Sequence, residues 1–337
     1  MKNNTEIEKL AQQQRNEIDD YLGSIVGLYA FAESACWDES SRAKKKESQY
    51  SIPHKFKINE KEITPDSAIQ LNSDYGIVSE MKKHFNESKP NQFEQLKKYD
   101  NDLEGWWTEN KKIKTHDLVL LCHMFSSIGA VDNYNNWENE GNKFDRNFAI
   151  IEFSYMDSGQ KQNFVLRRLY GQLTDKEHDE ALRRTKIIPP QIVERLFSKY
   201  KFYDVDPPLF HVPILIYNYI LPLLVAQEEF EENSGRKKRI VKVDVDTVRR
   251  ILQEQFLPLN HYLSLPKTKW VIYALDFLVS ISLGVKLDEK NYQLILQSPT
   301  RKDLCEYFSS KLISKQKDKQ KNNQSMSTRQ PDLFSNE

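Results

Sequence analysis

The chain has little cysteine and no excess charge of either sign. Its three cysteines, Cys36, Cys122 and Cys305, stand far apart with no CxxC pair, which supports neither a disulfide framework nor a thiolate zinc site. Basic and acidic residues number 49 each. No global field therefore draws the protein onto nucleic acid, and any such contact must come from local patches. The opening MKNNTEIEKLAQQQ lacks the apolar stretch of a signal peptide. The most apolar window, residues 209–225, is interrupted by His211, Pro213, Asn218 and Pro222. It is marginal for a bilayer and reads as a buried helix. No internal repeat is present. These absences lead us to expect a cytoplasmic protein without membrane contact.

Hydrophobic residues make up 39% of the chain and aromatics 11%, enough for a packed core under a polar surface. From about Ile7 to Ala35 the apolar positions Leu10, Ile18, Tyr21, Leu22, Ile25, Leu28 and Tyr29 recur with helical period. A charged loop, CWDESSRAKKKESQYS, follows. Short strand-like runs come next, HKFKI, EITPDSAIQL and YGIVSEMK, with turns at Asn59–Lys61 and Asn72–Asp74. QFEQLKKYDNDLEGWW has helical period, and HDLVLLCH reads as a buried strand. NFAIIEFSYM and QNFVLRRLYG form a hairpin across Asp157-Ser158-Gly159. Beyond about Thr174 the texture turns helical. The fold class expected is α/β: residues 1–175 form a mixed sheet flanked by helices, 176–313 a mainly helical domain, and 314–337 a flexible, disordered tail.

Phosphodiester hydrolysis needs carboxylates for a divalent cation, a polarised water, and a cation facing the developing phosphate charge. The stretch ITPDSAIQLNSDYGIVSEMK supplies these groups. Asp66 comes early in one strand. After a tight turn, Glu80 and Lys82 share one face at the end of the next strand, because side chains alternate along a strand. The Met81 carbonyl can complete a metal site.

These residues resemble the PD-(D/E)XK nuclease superfamily, which is restriction-endonuclease-like in fold. Pro65-Asp66, a hairpin spacer and Glu80-Met81-Lys82 stand in the family order, and Gln95-Leu96-Lys97-Lys98-Tyr99 matches the QxxxY motif of its RecB-like members. The resemblance covers roughly residues 7–170. It implies Asp66 and Glu80 as ligands of Mg²⁺ (or Mn²⁺), Lys82 as the residue that positions or polarises water, and Gln95 and Tyr99 as helix residues facing the site. An acidic residue on the preceding helix is also implied, Glu33 first and Glu17 behind it. Glu109-Asn110-Lys111 and Asp288-Glu289-Lys290 also fit E/D-x-K, but sit in hydrophilic turns. The implied activity is metal-dependent DNA cleavage in bacterial DNA processing, repair or phage defence. A catalytically inactive DNA-binding or scaffolding subunit and an RNA-directed nuclease remain as alternatives.

The ending RQPDLFSNE resembles the bacterial sliding-clamp-binding pentapeptide, with Gln330 for a polar pocket and Leu333 and Phe334 as apolar anchors. The partners expected are DNA, the sliding clamp, and a homo-oligomer or larger defence or repair complex. Arg236–Arg239 reads as a solvated loop. Lys97, Lys98, Lys111, Lys112 and Lys114 are candidate backbone contacts near the site. VDTVRRILQEQF and TKWVIYALDFLVSISLGV are either a winged-helix-like module or a structural cap. Trp106-Trp107 reads as core, and His116 and His123 as strand-end histidines.

Overall fold

A computed structural model describes residues 2–38, 43–82, 93–107, 111–157, 162–227, 238–256, 265–297 and 303–327. The chain divides into two compact units. One is built mainly from Leu22–Val205, and the other from Met1–Tyr21, Asp206–Gln255 and the described part of Ser264–Glu337. Helix α1 (Lys2–Ala35) begins in the second of these and ends in the first.

In the Leu22–Val205 unit, α1 leads to a short ribbon of β1 (Trp37–Asp38) and β2 (Ala43–Lys44), then to β3 (Gln49–Ser51). The strands β4 (Phe56–Ile58) and β5 (Lys61–Ile63) form a hairpin turned at Asn59 and Glu60. Then follow β6 (Ser67–Gln70), β7 (Tyr75–Lys82), α2 (Glu94–Asp100), β8 (Thr115–His123), α3 (Met124–Asn139), β9 (Phe148–Asp157) and β10 (Gln162–Gly171). The unit closes with α4 (Lys176–Arg183), β11 (Lys186–Ile188) and α5 (Pro190–Lys199). Among the described residues, seven strands make one mixed sheet in the order β11-β10-β9-β8-β7-β6-β3. Only β7–β8 and β8–β9 pair in parallel. Their crossovers run through α2 and α3, as parallel neighbours require.

The turn between β6 and β7 is closed by the Asn72 side chain, whose Oδ1 accepts from the backbone N–H of Asp74 and of Tyr75 at 2.9 Å each. On one face of the sheet, Ala68, Val78, Leu118, Leu120, Cys122 and Ile150 pack under Leu96 and Tyr99 of α2 and Tyr134 and Trp137 of α3. On the other face α1 approaches so closely that a side chain at Gly27 would meet the Phe153 ring at 3.0 Å.

The Asp206-onward unit holds α6 (His211–Leu215), one π-helical turn (Ile216–Ile220) and α7 (Leu221–Gln227), followed by β12 (Lys238–Asp244), α8 (Val245–Phe256), α9 (Thr268–Ser280), β13 (Gly284–Lys286), β14 (Asn291–Gln297) and α10 (Leu304–Ser327). The strands β12, β14 and β13 make a sheet in that order. Two helices, α8 and α9, stand between β12 and the closing β13–β14 hairpin.

Four features differ from the expectations. The division falls near residue 205, not at 175, because β11 pairs with β10 and carries α4 and α5 into the first unit. The later unit, expected to be mainly helical, also carries a three-stranded sheet: in β12 and β14, Val241, Val243, Tyr292 and Leu294 are buried at alternate positions, a two-residue period obscured by the charged neighbours. Lys238 and Arg239, expected in a loop, begin β12. Finally, the helix α10 extends through Ser327, past the expected start of a disordered tail at 314. Within residues 209–225 a helical run begins at His211 and buries one side, with Tyr219 and Leu223 exposed, and no helix among the described residues is long and apolar enough to cross a membrane.

Candidate active site

The antiparallel β6–β7 hairpin sets the site. Ser67 pairs with Ser79, so Asp66, one residue earlier, stands beside Glu80. The Met81 backbone N–H donates to Asp66 Oδ2 at 2.7 Å. Glu80 and Lys82 lie two apart and face the side of the sheet covered by α2. There four side chains close a ring. Lys82 Nζ donates to Glu80 Oε1 at 2.9 Å and to Gln95 Oε1 at 3.2 Å. Gln95 Nε2 donates to the Tyr99 hydroxyl at 2.9 Å, and that hydroxyl donates to Glu80 Oε2 at 3.0 Å. Gln95 and Tyr99 can both take part because residues four apart share a helix face. The helix is held from below by His116, whose Nε2 meets the Tyr99 carbonyl oxygen at 2.7 Å.

The site is electrostatically tense. Burial, then the neighbouring Glu80 charge, pushes the Asp66 carboxyl well above the ordinary range, against the Met81 N–H and Lys82. Burial also raises Glu80, whose side chain is 5% exposed, while Lys82 and the Tyr99 hydroxyl oppose the shift. Burial and the Glu80 charge raise the Tyr99 hydroxyl in turn.

All six motif residues, Asp66, Glu80, Met81, Lys82, Gln95 and Tyr99, therefore meet at one place. Glu33 joins no hydrogen bond of this ring: it accepts from the Tyr50 hydroxyl at 3.2 Å and pairs with Arg195. Glu17 is engaged by Gln13 and Gln14 within the other unit.

A further acidic residue, Asp204, adds a smaller charge repulsion that raises both Asp66 and Glu80. It follows α5, more than a hundred residues after Glu80, with no local motif to reveal it. Lys111, Lys112 and Lys114 precede β8, whose first residue Thr115 pairs with Tyr75 at the other end of β7. That places them about 23 Å from the Lys82 end at ~3.3 Å per strand residue. Lys97 is committed to Asp100 and the Lys143 carbonyl.

Trp106 is core, stacked on Phe56, and His123 caps α3. A depression of about 330 Å³ lined by Lys45, Asn72, Tyr75, Thr174 and Asp175 lies at the strand ends opposite the carboxylates. Gln330, Leu333 and Phe334 lie outside the described residues.

Among the described residues, no group of three or more His, Cys, Asp or Glu side chains is placed to hold a metal ion. The donors here are the Asp66 and Glu80 carboxylates with the Met81 carbonyl. An all-oxygen set supplying few protein ligands suits Mg²⁺, which retains several waters, better than Zn²⁺. Two carboxylates raised by burial beside each other also fit a divalent cation. Searches of protein-family models, curated proteins and solved structures found no match to this chain.

Proposed function

We propose that this protein is a metal-dependent nuclease of the PD-(D/E)XK type, with a restriction-endonuclease-like core that hydrolyses DNA phosphodiester bonds. The observation that carries this reading is the closed ring of Glu80, Lys82, Gln95 and Tyr99 beside Asp66. Hydrogen bonding joins two motifs that twelve residues separate in the sequence, on two adjoining carboxylates of which Glu80 is buried. Asp66, Glu80 and the Met81 carbonyl would hold Mg²⁺ or Mn²⁺, which when bound supplies charge neutralisation at the phosphate and an activated water. Lys82 presents its ammonium at the same point. Gln95 keeps a second hold on that ammonium besides Glu80, so Lys82 stays oriented when Glu80 engages a cation. Tyr99 fixes the Glu80 carboxylate.

A second reading, a nuclease-fold subunit that binds DNA without cutting it, is favoured by one feature. Both Glu80 oxygens are already occupied, by Lys82 and Tyr99. Incubation of the full chain with linear, circular and single-stranded DNA and with RNA, in Mg²⁺ or Mn²⁺, separates these readings. We expect DNA cleavage that falls about a hundredfold or more in Lys82→Ala and Glu80→Ala. Cleavage that survives both substitutions rejects the site. Binding without cleavage favours the second reading, and cleavage of RNA alone redirects the substrate. The tail motif Gln330, Leu333 and Phe334 adds a sliding clamp as proposed partner. Deleting residues 329–337 should abolish binding to a purified bacterial clamp, and unchanged binding rejects the motif.

A further inference from the structure

The ring of four side chains opens to solvent on one flank. Tyr99 is 2% exposed and the Glu80 side chain 5%, whereas the Lys82 side chain is 26% exposed and Gln95 is half-buried. A phosphate therefore meets the site over Lys82 and Gln95, along the side of α2. Successive helix residues advance about 100° around the axis and ~1.5 Å along it. The order around α2, from solvent inward, is thus Lys98, Gln95, Tyr99, Leu96. Burial agrees, since Lys98 is exposed while Tyr99 and Leu96 are enclosed. Along the axis Lys98 stands between Gln95 and Tyr99, at the height of the ring. Residues three apart on a helix hold their Cβ atoms about 5–6 Å from each other. Lys98 therefore rises beside Gln95, whose Oε1 accepts from the Lys82 ammonium at 3.2 Å.

The neighbouring lysine is already engaged. Lys97 lies past Leu96 around the helix, away from the ring, and its ammonium donates to Asp100 Oδ2 at 2.7 Å and to the Lys143 carbonyl at 2.8 Å. Lys98 differs. Among the described residues it makes no hydrogen bond or ion pair, although Glu94 stands four residues before it at a spacing that permits one. The open flank of the site thus carries an unpaired ammonium next to Lys82, whose own charge is held by Glu80.

We propose that Lys98 binds the backbone phosphate adjoining the scissile one, so that Lys82 and the flank of α2 meet two successive phosphates of one DNA strand. The substrate class rests on the nuclease reading above, which puts the scissile phosphate at Lys82. A lysine is a point charge on a flexible stem and neutralises a phosphate whatever base it carries. Such a contact fixes the register of the strand on the site and adds affinity, without reading sequence.

The test is binding by the full chain in EDTA, so that no cleavage intervenes, read by anisotropy of fluorescein-labelled duplex and single-stranded DNA of two unrelated sequences. Salt is varied from about 50 to 200 mM, because each phosphate contact contributes about 0.9 to the slope of log K against log salt on duplex and about 0.7 on a single strand. We expect Lys98→Gln to weaken binding severalfold on both sequences and to flatten the slope by about that amount. Lys98→Arg keeps the charge and should restore both. Lys111→Gln removes the same charge before β8, whose first residue pairs with Tyr75 at the far end of β7, and should change neither. An unchanged slope in Lys98→Gln overturns the proposal, and so does an equal loss in Lys111→Gln, which would mean that only net charge is felt. With Mg²⁺ the Lys98→Gln loss should fall on KM rather than kcat; a loss confined to kcat would put Lys98 at the scissile phosphate and overturn the flanking assignment. A chain that binds DNA through Lys98 but never cleaves sinks only the nuclease reading. Lys82-dependent cleavage with a slope indifferent to Lys98 sinks only the flanking contact.

Discussion

Asp66 and Glu80 are two carboxylates held side by side in a poorly solvated place, with Lys82 as the cation within bonding distance of one of them. Their raised pKa values mean that the folded chain favours the protonated forms. This contribution to stability is present below the ordinary carboxylate pKa and is lost as pH rises through the raised folded values. At neutral pH the metal-free site therefore opposes folding, a cost often found at functional sites. Asp66→Asn removes one charge, and should raise the melting temperature of the metal-free chain at pH 7 by about 2–4 °C. Mg²⁺ or Mn²⁺ should stabilise the wild type by mass action and leave Asp66→Asn unmoved. A variant that melts lower and still responds to the ion would contradict a shared two-carboxylate site.

At the scale of elements, β7 does two tasks: its C-terminal end carries Glu80 and Lys82, and its N-terminal end seals the core. Gly76 sits where a Cβ would meet the Trp106 ring at 2.1 Å and the Ile69 carbonyl oxygen at 2.3 Å. Glycine inside a strand marks such a close approach. Gly76→Ala should destabilise the protein by about 2 kcal/mol or more, since the cross-strand carbonyl cannot retreat like a flexible side chain. Chemical denaturation measures this, and a variant as stable as wild type would mean that Trp106 packs elsewhere.

For the whole molecule, acid is the condition most revealing of the core. His178 is enclosed, with Nε2 3.1 Å from the Ser34 hydroxyl, and burial, aided by Lys186, lowers its pKa to about 3. Burial and Arg146 lower His116 to about 4. An unfolded histidine takes a proton near pH 6.5. Both histidines therefore contribute stability that is whole above that value and is lost as pH falls toward their folded pKa values, on the order of a few kcal/mol each at the acid limit. Asp66 and Glu80 act in the opposite sense, so the informative quantity is a difference. The stability gap between wild type and His178→Asn should narrow steadily from pH 7 to pH 4.5 in urea titrations. A gap independent of pH would mean that His178 titrates freely.

The sequence alone placed the groups of the candidate site on their local faces and outlined much of the scaffold. Pro65-Asp66, Glu80-Met81-Lys82 and Gln95–Tyr99 were legible because strand and helix periods put each short motif on one face without knowledge of the rest. The hairpin turn at Asn72–Asp74 was legible from its side-chain chemistry. Tertiary structure decided what depends on distant pairing. Asp204 adds its charge to the surroundings of the carboxylates, and Arg167 bonds Glu152, through long-range placement that no local period encodes. Glu33 bonds Tyr50 and Arg195 and no member of the ring, since periodicity specifies a helix face and not the partners that stand against it. The boundary near residue 205 was hidden because β11, three residues long, owes its place to β10 rather than to its own sequence. Local motifs name the groups, and long-range register decides which of them meet.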